Sequence, residues 1–255
     1  MSVANSRPMV GFFLDLMLAV VAMLGLMIAC TAAWAAMRGL QLGFAAGLEA
    51  VPNAAGRPGP MALLWTTLIS TGGATLLVYW WRRRATAEEV LQSMAAARRV
   101  ATWGWVAVAG VSTFLVSSAV TALAQRAGTQ PQPSNLALIE AAFDANPTLL
   151  LMFGVLVAPM YEELLFRRVL FGRLWAAGRP WLGLVLSSAV FALMHELPGT
   201  GGNSWQATAL LWCAYAAMGA VFAGLYWYTR TLWAPIAAHA LNNAIALAVL
   251  QTAIS

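Results

Sequence analysis

Seven apolar segments of this chain are each 17 residues or longer, which is enough to cross the hydrocarbon core of a bilayer as a helix. They run over residues 11–37, 61–81, 103–124, 147–177, 181–197, 206–228 and 234–254. An apolar segment of this length is typical of a membrane-spanning helix. The sequence therefore predicts an all-α, polytopic membrane bundle of about seven transmembrane helices, with a range of roughly six to eight.

The composition supports a membrane protein and argues against a nucleic-acid-binding one. The chain is 61% hydrophobic and 9% charged, whereas a soluble domain has roughly 25% charged residues. All 14 basic residues are arginine and the net charge is +5. These arginines collect at the ends of apolar segments and form no basic patch interleaved with aromatic residues, so they are a topology signal. We expect the lipid bilayer as a partner and no nucleic acid.

The arginine distribution predicts the orientation. With seven helices, one side of the membrane holds the arginines at 82–84, 98–99, 167–168, 173, 179 and 230. The other side holds Arg38, Arg57 and Arg126, together with Glu49, Glu140 and Asp144. Because basic residues favour the cytoplasmic side, we expect the N-terminus in the cytoplasm. An all-arginine set of basic residues fits a GC-rich bacterial genome, so we expect the cell membrane to be the inner membrane of a bacterium.

Several connecting features are also predicted. Residues 85–99 are expected to form a surface helix and residues 136–143 a short amphipathic helix. The stretch from Gly39 to Pro60 is expected to be a loop because it is rich in glycine and proline. Asp15, near the start of the first apolar segment, is expected at a wetted helix end, since buried charges are rare in membranes.

Two carboxylates and two arginines interrupt the fourth apolar segment between Met160 and Arg168. An ionisable group at membrane depth is costly unless it is paired or wetted, so this stretch is a candidate functional site. Glu163 and Arg167 are four residues apart and can meet on one helix face, while Glu162 points about 100° away. Pro159 is expected to free a backbone carbonyl and bend the helix.

The chain's two histidines lie in later apolar segments, each in an i, i+4 pair. Phe191 precedes His195, and Asn243 follows His239. A carboxylate such as Glu162 suits water activation, and imidazole and amide groups suit oxyanion stabilisation. Glu162, His195 and His239 could instead bind zinc and leave a fourth position for water. The residues alone do not separate these two chemistries.

Each of these residues also has a structural interpretation. A buried membrane histidine more often joins helices by hydrogen bonds than it catalyses a reaction, and an isolated Glu–Arg pair is more often structural. Their joint occurrence on three helices favours a site. Glu196, next to His195, is interpreted as a helix-end residue near the loop at Pro198.

The three patterns together resemble a known family. Glu162-Glu163-x-x-x-Arg167, Phe191-x-x-x-His195 and His239-x-x-x-Asn243 resemble the motifs of the CAAX protease and bacteriocin-processing (CPBP, or Abi) family, similar to the type II CAAX prenyl endopeptidase. The resemblance covers about residues 147–250. It divides the chain into N-terminal transmembrane helices over residues 1–146 and a catalytic core over residues 147–252.

The resemblance implies an intramembrane endopeptidase whose substrate is membrane-embedded or lipidated, of a prenylated or leader type. The implied catalytic residues are Glu162 as general base, His195 to position water, and His239 with Asn243 as the oxyanion hole. The implied supporting residues are Glu163, Arg167 and Phe191. The family is often described as metalloproteases, although its prenyl-protease members resemble glutamate-dependent enzymes, so zinc stays an open cofactor.

Two other functions stay open at this point. The family resemblance is also compatible with a non-proteolytic immunity or scaffold protein of the membrane. A transporter using Glu162 as a carrier site is ranked last, because the sequence shows no internal repeat of the kind expected of transporters. Neither the substrate nor the oligomeric state is predicted.

Overall fold

The computed structural model describes residues 7–46, 56–200 and 202–254. Within these ranges the chain forms nine helices and no strand. They are α1 Pro8–Ala46, α2 Pro60–Arg83, α3 Ala87–Ala97, α4 Val100–Arg126, α5 Leu136–Ala145, α6 Pro147–Ala176, α7 Pro180–His195, α8 Trp205–Thr229 and α9 Trp233–Ile254. The prediction of an all-α polytopic bundle is confirmed.

Six of the described helices are long and apolar enough to cross a membrane: α1, α2, α4, α6, α8 and α9. The seventh predicted segment is α7, which has 16 residues. At 1.5 Å per residue it is about 24 Å long, which is shorter than a hydrocarbon core of about 30 Å. The protein is thus a multi-pass membrane protein with six full-length helices and one short one.

The loop predicted from Gly39 to Pro60 is wrong over its first part, because α1 continues to Ala46. Single glycines cost about 1 kcal/mol in a helix, and Leu40, Gln41 and Leu42 around them are good helix formers. Residues 47–55, including Glu49, lie outside the described residues. The predicted surface and amphipathic helices are confirmed as α3 and α5.

The ends of α6, which carries the glutamates, follow from local sequence. Asn146 caps the helix, with its Oδ1 accepting from the backbone N–H of Leu149 at 3.0 Å, and Pro147 occupies the first turn. Gly178 adopts φ 74° just beyond the last turn, a left-handed conformation that glycine adopts without strain. Pro180 then opens α7.

Asp15 is buried, so its interpretation as a wetted helix end is wrong. Its carboxylate is fully inaccessible and pairs with Arg82 of α2 and Arg173 of α6. Two guanidinium groups from other helices replace water around this carboxylate, which makes a buried charge tolerable. The ion pairs hold α1, α2 and α6 together at one end of the bundle.

A single carboxylate, that of Glu89, both caps the surface helix α3 and joins it to α6. Thr86 and Glu89 form a capping box, each accepting a hydrogen bond from the other's backbone N–H. Glu89 also accepts from Arg168 of α6 at 3.0 and 2.6 Å. Arg168 therefore anchors α3 to α6, which we call the motif helix because it carries the glutamate motif.

This contact predicts a pH-dependent stability. The hydrogen bond from Arg168 lowers the pKa of Glu89 from 4.5 to about 2. A carboxylate with a depressed pKa stabilises the fold above its unfolded pKa, and this stabilisation is lost as the pH falls towards the folded value. We expect Glu89→Gln to lower the free energy of unfolding near pH 7 by less than about 1 kcal/mol, and so to lower the thermal midpoint. The difference should vanish only as the pH falls through the folded pKa of about 2, because the wild-type carboxylate is then protonated as well.

Circular dichroism melts of both proteins across this pH range measure the effect. Glu88→Gln is the matched control, because Glu88 lies on the same helix and makes no ion pair within the described part of the chain. If the difference in thermal midpoint between wild type and Glu89→Gln stays constant down to acidic pH, the Arg168 contact is not its cause.

A close approach of two helices sets the position of α9. A Cβ atom built at Gly110 of α4 would lie 2.9 Å from the backbone oxygen of Ala238 and 2.9 Å from Leu241 Cδ2. Small residues of this kind let membrane helices approach closely. Ala238 and Leu241 lie beside His239 in sequence, so Gly110 helps to position this histidine.

We expect Gly110→Ala to destabilise the protein by about 1–3 kcal/mol through overpacking. Gly104→Ala is the matched control on the same helix, because its Cβ would meet no atom within 4 Å, and it should stabilise the helix by about 0.5–1 kcal/mol. Thermal unfolding of both variants in one detergent tests this. Equal shifts in the two variants would contradict a specific α4–α9 contact.

Candidate active site

A buried ion pair joins the two polar residues of the α6 motif that point inward. Glu163 and Arg167 are both fully buried, and Arg167 Nε lies 2.7 Å from Glu163 Oε2. The i, i+4 pairing predicted from the sequence is confirmed. His239 Nδ1 lies 2.9 Å from Glu163 Oε1, a contact that the sequence did not reveal. Glu163 therefore connects α6 to α9 as well as holding Arg167.

Aromatic rings surround the buried guanidinium. Arg167 Cζ lies 4.9 Å from the ring centre of Phe191, 5.7 Å from that of Phe222 and 5.8 Å from that of Phe166. A planar guanidinium is weakly hydrated and stacks favourably on aromatic faces. Phe191 thus packs beside the site as expected, while Phe222 of α8 had no signal beyond being an aromatic residue in an apolar segment.

Glu162 points to a different place, between the two histidines. Its Oε2 lies 3.5 Å from His195 Nε2 and 3.8 Å from His239 Nε2. These separations exceed an ordinary hydrogen bond. Glu162 Oε2 is buried and has no hydrogen-bond partner among the described residues. One carboxylate oxygen and two imidazole nitrogens from α6, α7 and α9 thus converge on the same small volume.

The other nitrogen of each imidazole is held by an acceptor. His195 Nδ1 lies 2.8 Å from the backbone oxygen of Phe191, and His239 Nδ1 contacts the Glu163 carboxylate. Because a carbonyl or carboxylate only accepts, each Nδ1 carries the proton, and each Nε2 is the nitrogen that faces Glu162. The site thus presents both reactive nitrogens in a defined orientation.

Ring stacking restricts both histidines further. The His195 ring centre lies 4.1 Å from Phe191 and 4.8 Å from Tyr215. The His239 ring stacks on Phe222 at 5.0 Å. Tyr215 and Phe222 both come from α8, a helix that carries none of the three motifs. No pattern in the sequence distinguishes them from the other aromatic residues of that helix.

Asn243 is positioned by a carbonyl of α6. Its Nδ2 donates to the backbone oxygen of Gly154 at 2.9 Å. The neighbouring Ala158 N–H donates to the backbone oxygen of Phe153, five residues earlier. With the same spacing, the backbone N–H that would donate to the Gly154 oxygen is that of residue 159. Pro159 has no N–H, which leaves the Gly154 carbonyl to Asn243. The freed carbonyl predicted from Pro159 therefore has a specific partner in α9.

The two neighbouring asparagines have different contacts. Asn242 is buried and its Nδ2 donates to Asn243 Oδ1 at 3.0 Å. Asn243 has two amide hydrogens, and the Gly154 carbonyl takes one of them. The second hydrogen remains available for an oxyanion. That catalytic role of Asn243 stays a prediction, as do the roles of Glu162, His195 and His239.

Glu196 ends α7, as interpreted from the sequence, but it is also almost completely buried. Its carboxylate accepts from the Ser134 backbone N–H at 3.0 Å and from Asn203 Nδ2 at 3.3 Å. Its backbone oxygen accepts from Trp212 Nε1 at 2.7 Å. A buried carboxylate needs such donors, and through them Glu196 holds the loop before α5 next to His195.

The zinc interpretation concerns the same three side chains, Glu162, His195 and His239. Within the described ranges, no group of three or more His, Cys, Asp and Glu side chains is placed to hold a metal ion. The catalytic steps proposed below use side chains of the protein alone and pass through no metal. The zinc interpretation stays a prediction that metal analysis of the purified protein tests.

Comparison with known proteins matches the part of the chain that carries these residues. Residues 144–245 match the family described as Type II CAAX prenyl endopeptidase Rce1-like. Residues 144–245 are therefore similar to the CAAX protease family, and we call them the CAAX protease region. The CAAX protease region contains all three motifs, so the resemblance predicted from them is confirmed. The separate division of the whole chain at residue 146 stays a prediction.

A bacterial relative supports the same family. The chain is 30% identical over 116 residues to the protein of Bacillus subtilis named "Putative membrane peptidase YdiL". The match covers 46% of this chain and 43% of that relative, so it spans less than half of the relative's length. No solved structure matches the chain significantly.

Proposed function

We propose that the chain is an intramembrane endopeptidase in which Glu162 activates water to hydrolyse a peptide bond. The observation that carries the proposal is the buried Glu162 Oε2, which lacks a hydrogen-bond partner in the described structure and faces two imidazole nitrogens. The similarity of residues 144–245 to the CAAX protease family supports the same activity.

In this mechanism Glu162 takes a proton from the attacking water. His195 Nε2, 3.5 Å from the carboxylate, orients that water. The resulting hydroxide attacks the carbonyl carbon of the scissile peptide, and the proton held by Glu162 passes to the leaving amine as the C–N bond breaks. General base catalysis of this kind contributes about 10²–10⁴-fold in rate.

The developing oxyanion would be held by groups on α9. A proton on His239 Nε2 would let that nitrogen donate, and Glu163 fixes the ring through Nδ1. The second amide hydrogen of Asn243 supplies another donor, with its orientation set by Gly154. Each donor in such a pair is worth about 10²–10³-fold in rate.

The location of the site favours a membrane-associated substrate. Glu162 lies within α6, a helix of spanning length, and the Glu162 and His195 side chains are 17% and 20% exposed. A substrate peptide must therefore reach groups inside the bundle rather than on a soluble surface. We propose a membrane-embedded or lipidated segment, of the prenylated or leader type, as the substrate class.

A cleavage assay with metal analysis tests the proposed function. Purified protein is reconstituted with a prenylated peptide and with a leader-type peptide, and the products are identified by mass spectrometry. We expect cleavage of one peptide class, which is lost on substitution of Glu162 and decreased in His239→Gln.

Two other outcomes would overturn this mechanism. If cleavage requires stoichiometric zinc, and this zinc is lost in His195→Ala and His239→Ala, a metal mechanism replaces the glutamate mechanism. Biological activity that survives substitution of Glu162, His195 and His239 would indicate a scaffold or immunity protein.

We also propose the orientation derived from the arginines: the N-terminus in the cytoplasm, in the inner membrane of a bacterium. The ends of α2, α6 and α8, where Arg82, Arg173 and Arg230 lie, would then face the cytoplasm. Reporter fusions after α3 and after α4 test this, because the first should report a cytoplasmic and the second an external location. The reverse pattern would overturn it.

A further inference from the structure

A second polar region lies on another face of the motif helix. A cavity of about 580 Å³ opens between α3, α6 and the connection from α8 to α9. Met160, Leu164 and Arg168 line it from α6. None of the seven proposed site residues does. The cavity is therefore distinct from the volume between Glu162 and the histidines.

The cavity has an excess of positive charge. Arg83, Arg168 and Arg230 line it together with one carboxylate, Glu89. Glu89 is already bound by Arg168 at 2.6 Å. Within the described ranges, Arg83 and Arg230 have no carboxylate partner, and Arg83 Nε is buried without a hydrogen-bond partner. Two guanidinium groups are thus available to an anion.

The aromatic residues of the cavity hold one of these guanidiniums in place. Arg230 Cζ lies 4.5 Å from the ring centre of Trp175, and Arg230 adopts a left-handed backbone conformation, φ 62°, just after α8. Trp175 and Trp233 both line the cavity. A guanidinium stacked on indole keeps its N–H groups directed outwards, where an oxyanion can accept from them.

The depth of the cavity identifies its surroundings. Arg83 is the last residue of α2, Arg230 follows the end of α8, and Trp233 begins α9. Arginine and tryptophan at the ends of spanning helices mark the membrane–water interface. The polar end of the cavity is therefore at headgroup level, while Leu164 and Ile236 give it an apolar wall along the spans.

We propose that this cavity binds the phosphate headgroup of an anionic membrane lipid. Arg83 and Arg230 contact the phosphate, and the wall formed by Leu164 and Ile236 contacts the start of an acyl chain. A basic pocket between helices at the cytoplasmic interface is the kind of site that recognises anionic headgroups. A peptide carboxylate is the less favoured ligand, because the cavity lies on a different face of α6 from Glu162.

Lipid binding can be tested without any peptidase activity. Native mass spectrometry of the detergent-solubilised full chain measures the affinity for short-chain phosphatidylglycerol and, as a zwitterionic control, phosphatidylcholine. In Arg83→Gln/Arg230→Gln we expect phosphatidylglycerol affinity to fall about tenfold or more, since each arginine at headgroup level contributes to the attraction of an anionic lipid. Phosphatidylcholine binding should not change.

Arg57→Gln/Arg126→Gln is the matched control, with the same change in net charge at exposed positions on the other side of the bundle. It should retain wild-type affinity, and an equal loss in both double variants would overturn the proposal. Arg230→Gln alone gives the same comparison if the double variant does not fold, because this residue is exposed.

Competition experiments distinguish the lipid from other anions. Inorganic phosphate that competes as well as phosphatidylglycerol would indicate a free-anion site instead. Displacement by a peptide with a free C-terminal carboxylate, but not by its amide, would indicate a peptide site.

Discussion

Glu162→Gln is expected to lower kcat for peptide cleavage by about 10²–10⁴-fold while the helical bundle stays folded. Glutamine has the shape of glutamate but cannot take a proton from water. Glu162 Oε2 makes no hydrogen bond in the described structure, so the substitution breaks no such structural contact. Initial rates at saturating substrate, measured on the same peptide for both proteins, give the decrease.

Glu140→Gln is the matched control for this experiment. Glu140 is an exposed glutamate on α5, and its substitution removes the same charge away from the site. We expect wild-type rates from it, and we expect thermal midpoints close to wild type for both variants. Wild-type cleavage by Glu162→Gln would show that another group is the base.

Arg167→Met is expected to lower the free energy of unfolding by about 3–5 kcal/mol, since it leaves the Glu163 carboxylate buried without its cation. Glu163→Gln/Arg167→Met should recover most of this loss. The glutamine oxygen still accepts from His239 Nδ1, and no unpaired charge remains. Equilibrium unfolding in mixed micelles measures all three proteins on one scale.

The matched control is Arg179→Met, which replaces an exposed arginine just beyond α6. It should change the unfolding free energy by less than about 0.5 kcal/mol. If the single and double variants at the buried pair are equally unstable, the loss comes from the packing of Arg167 on its aromatic neighbours. The electrostatic explanation would then be wrong.

The parts of the site that lie within one helix could be predicted from the sequence. The Glu163–Arg167 pair follows from the 3.6-residue period, and the stacking of His195 on Phe191 follows from the same spacing. Apart from α1, which continues to Ala46 rather than ending at residue 37, the helices were predicted to within about three residues of their ends, because the length of an apolar segment is a direct physical requirement of the bilayer.

Contacts between helices could not be predicted in this way. Glu163 and His239 are 76 residues apart, and Asp15 and Arg173 are 158 residues apart. No periodicity relates such positions, so their pairing depends on which helix faces pack together. The wrong interpretation of Asp15 has this cause: a charge near a helix end is wetted by default, and only its neighbours in space show otherwise.

The Asp15 ion pairs have a consequence for the independence of the CAAX protease region. Asp15 lies in α1, outside residues 144–245, yet it neutralises Arg173 of the motif helix. Gly110 of α4 likewise fits against the backbone of α9. A fragment limited to the family match would therefore contain a bare guanidinium and an uncovered helix face. The region matched by the family is thus smaller than the set of helices that pack around it, so we expect transplantation of this region to need the N-terminal helices as well.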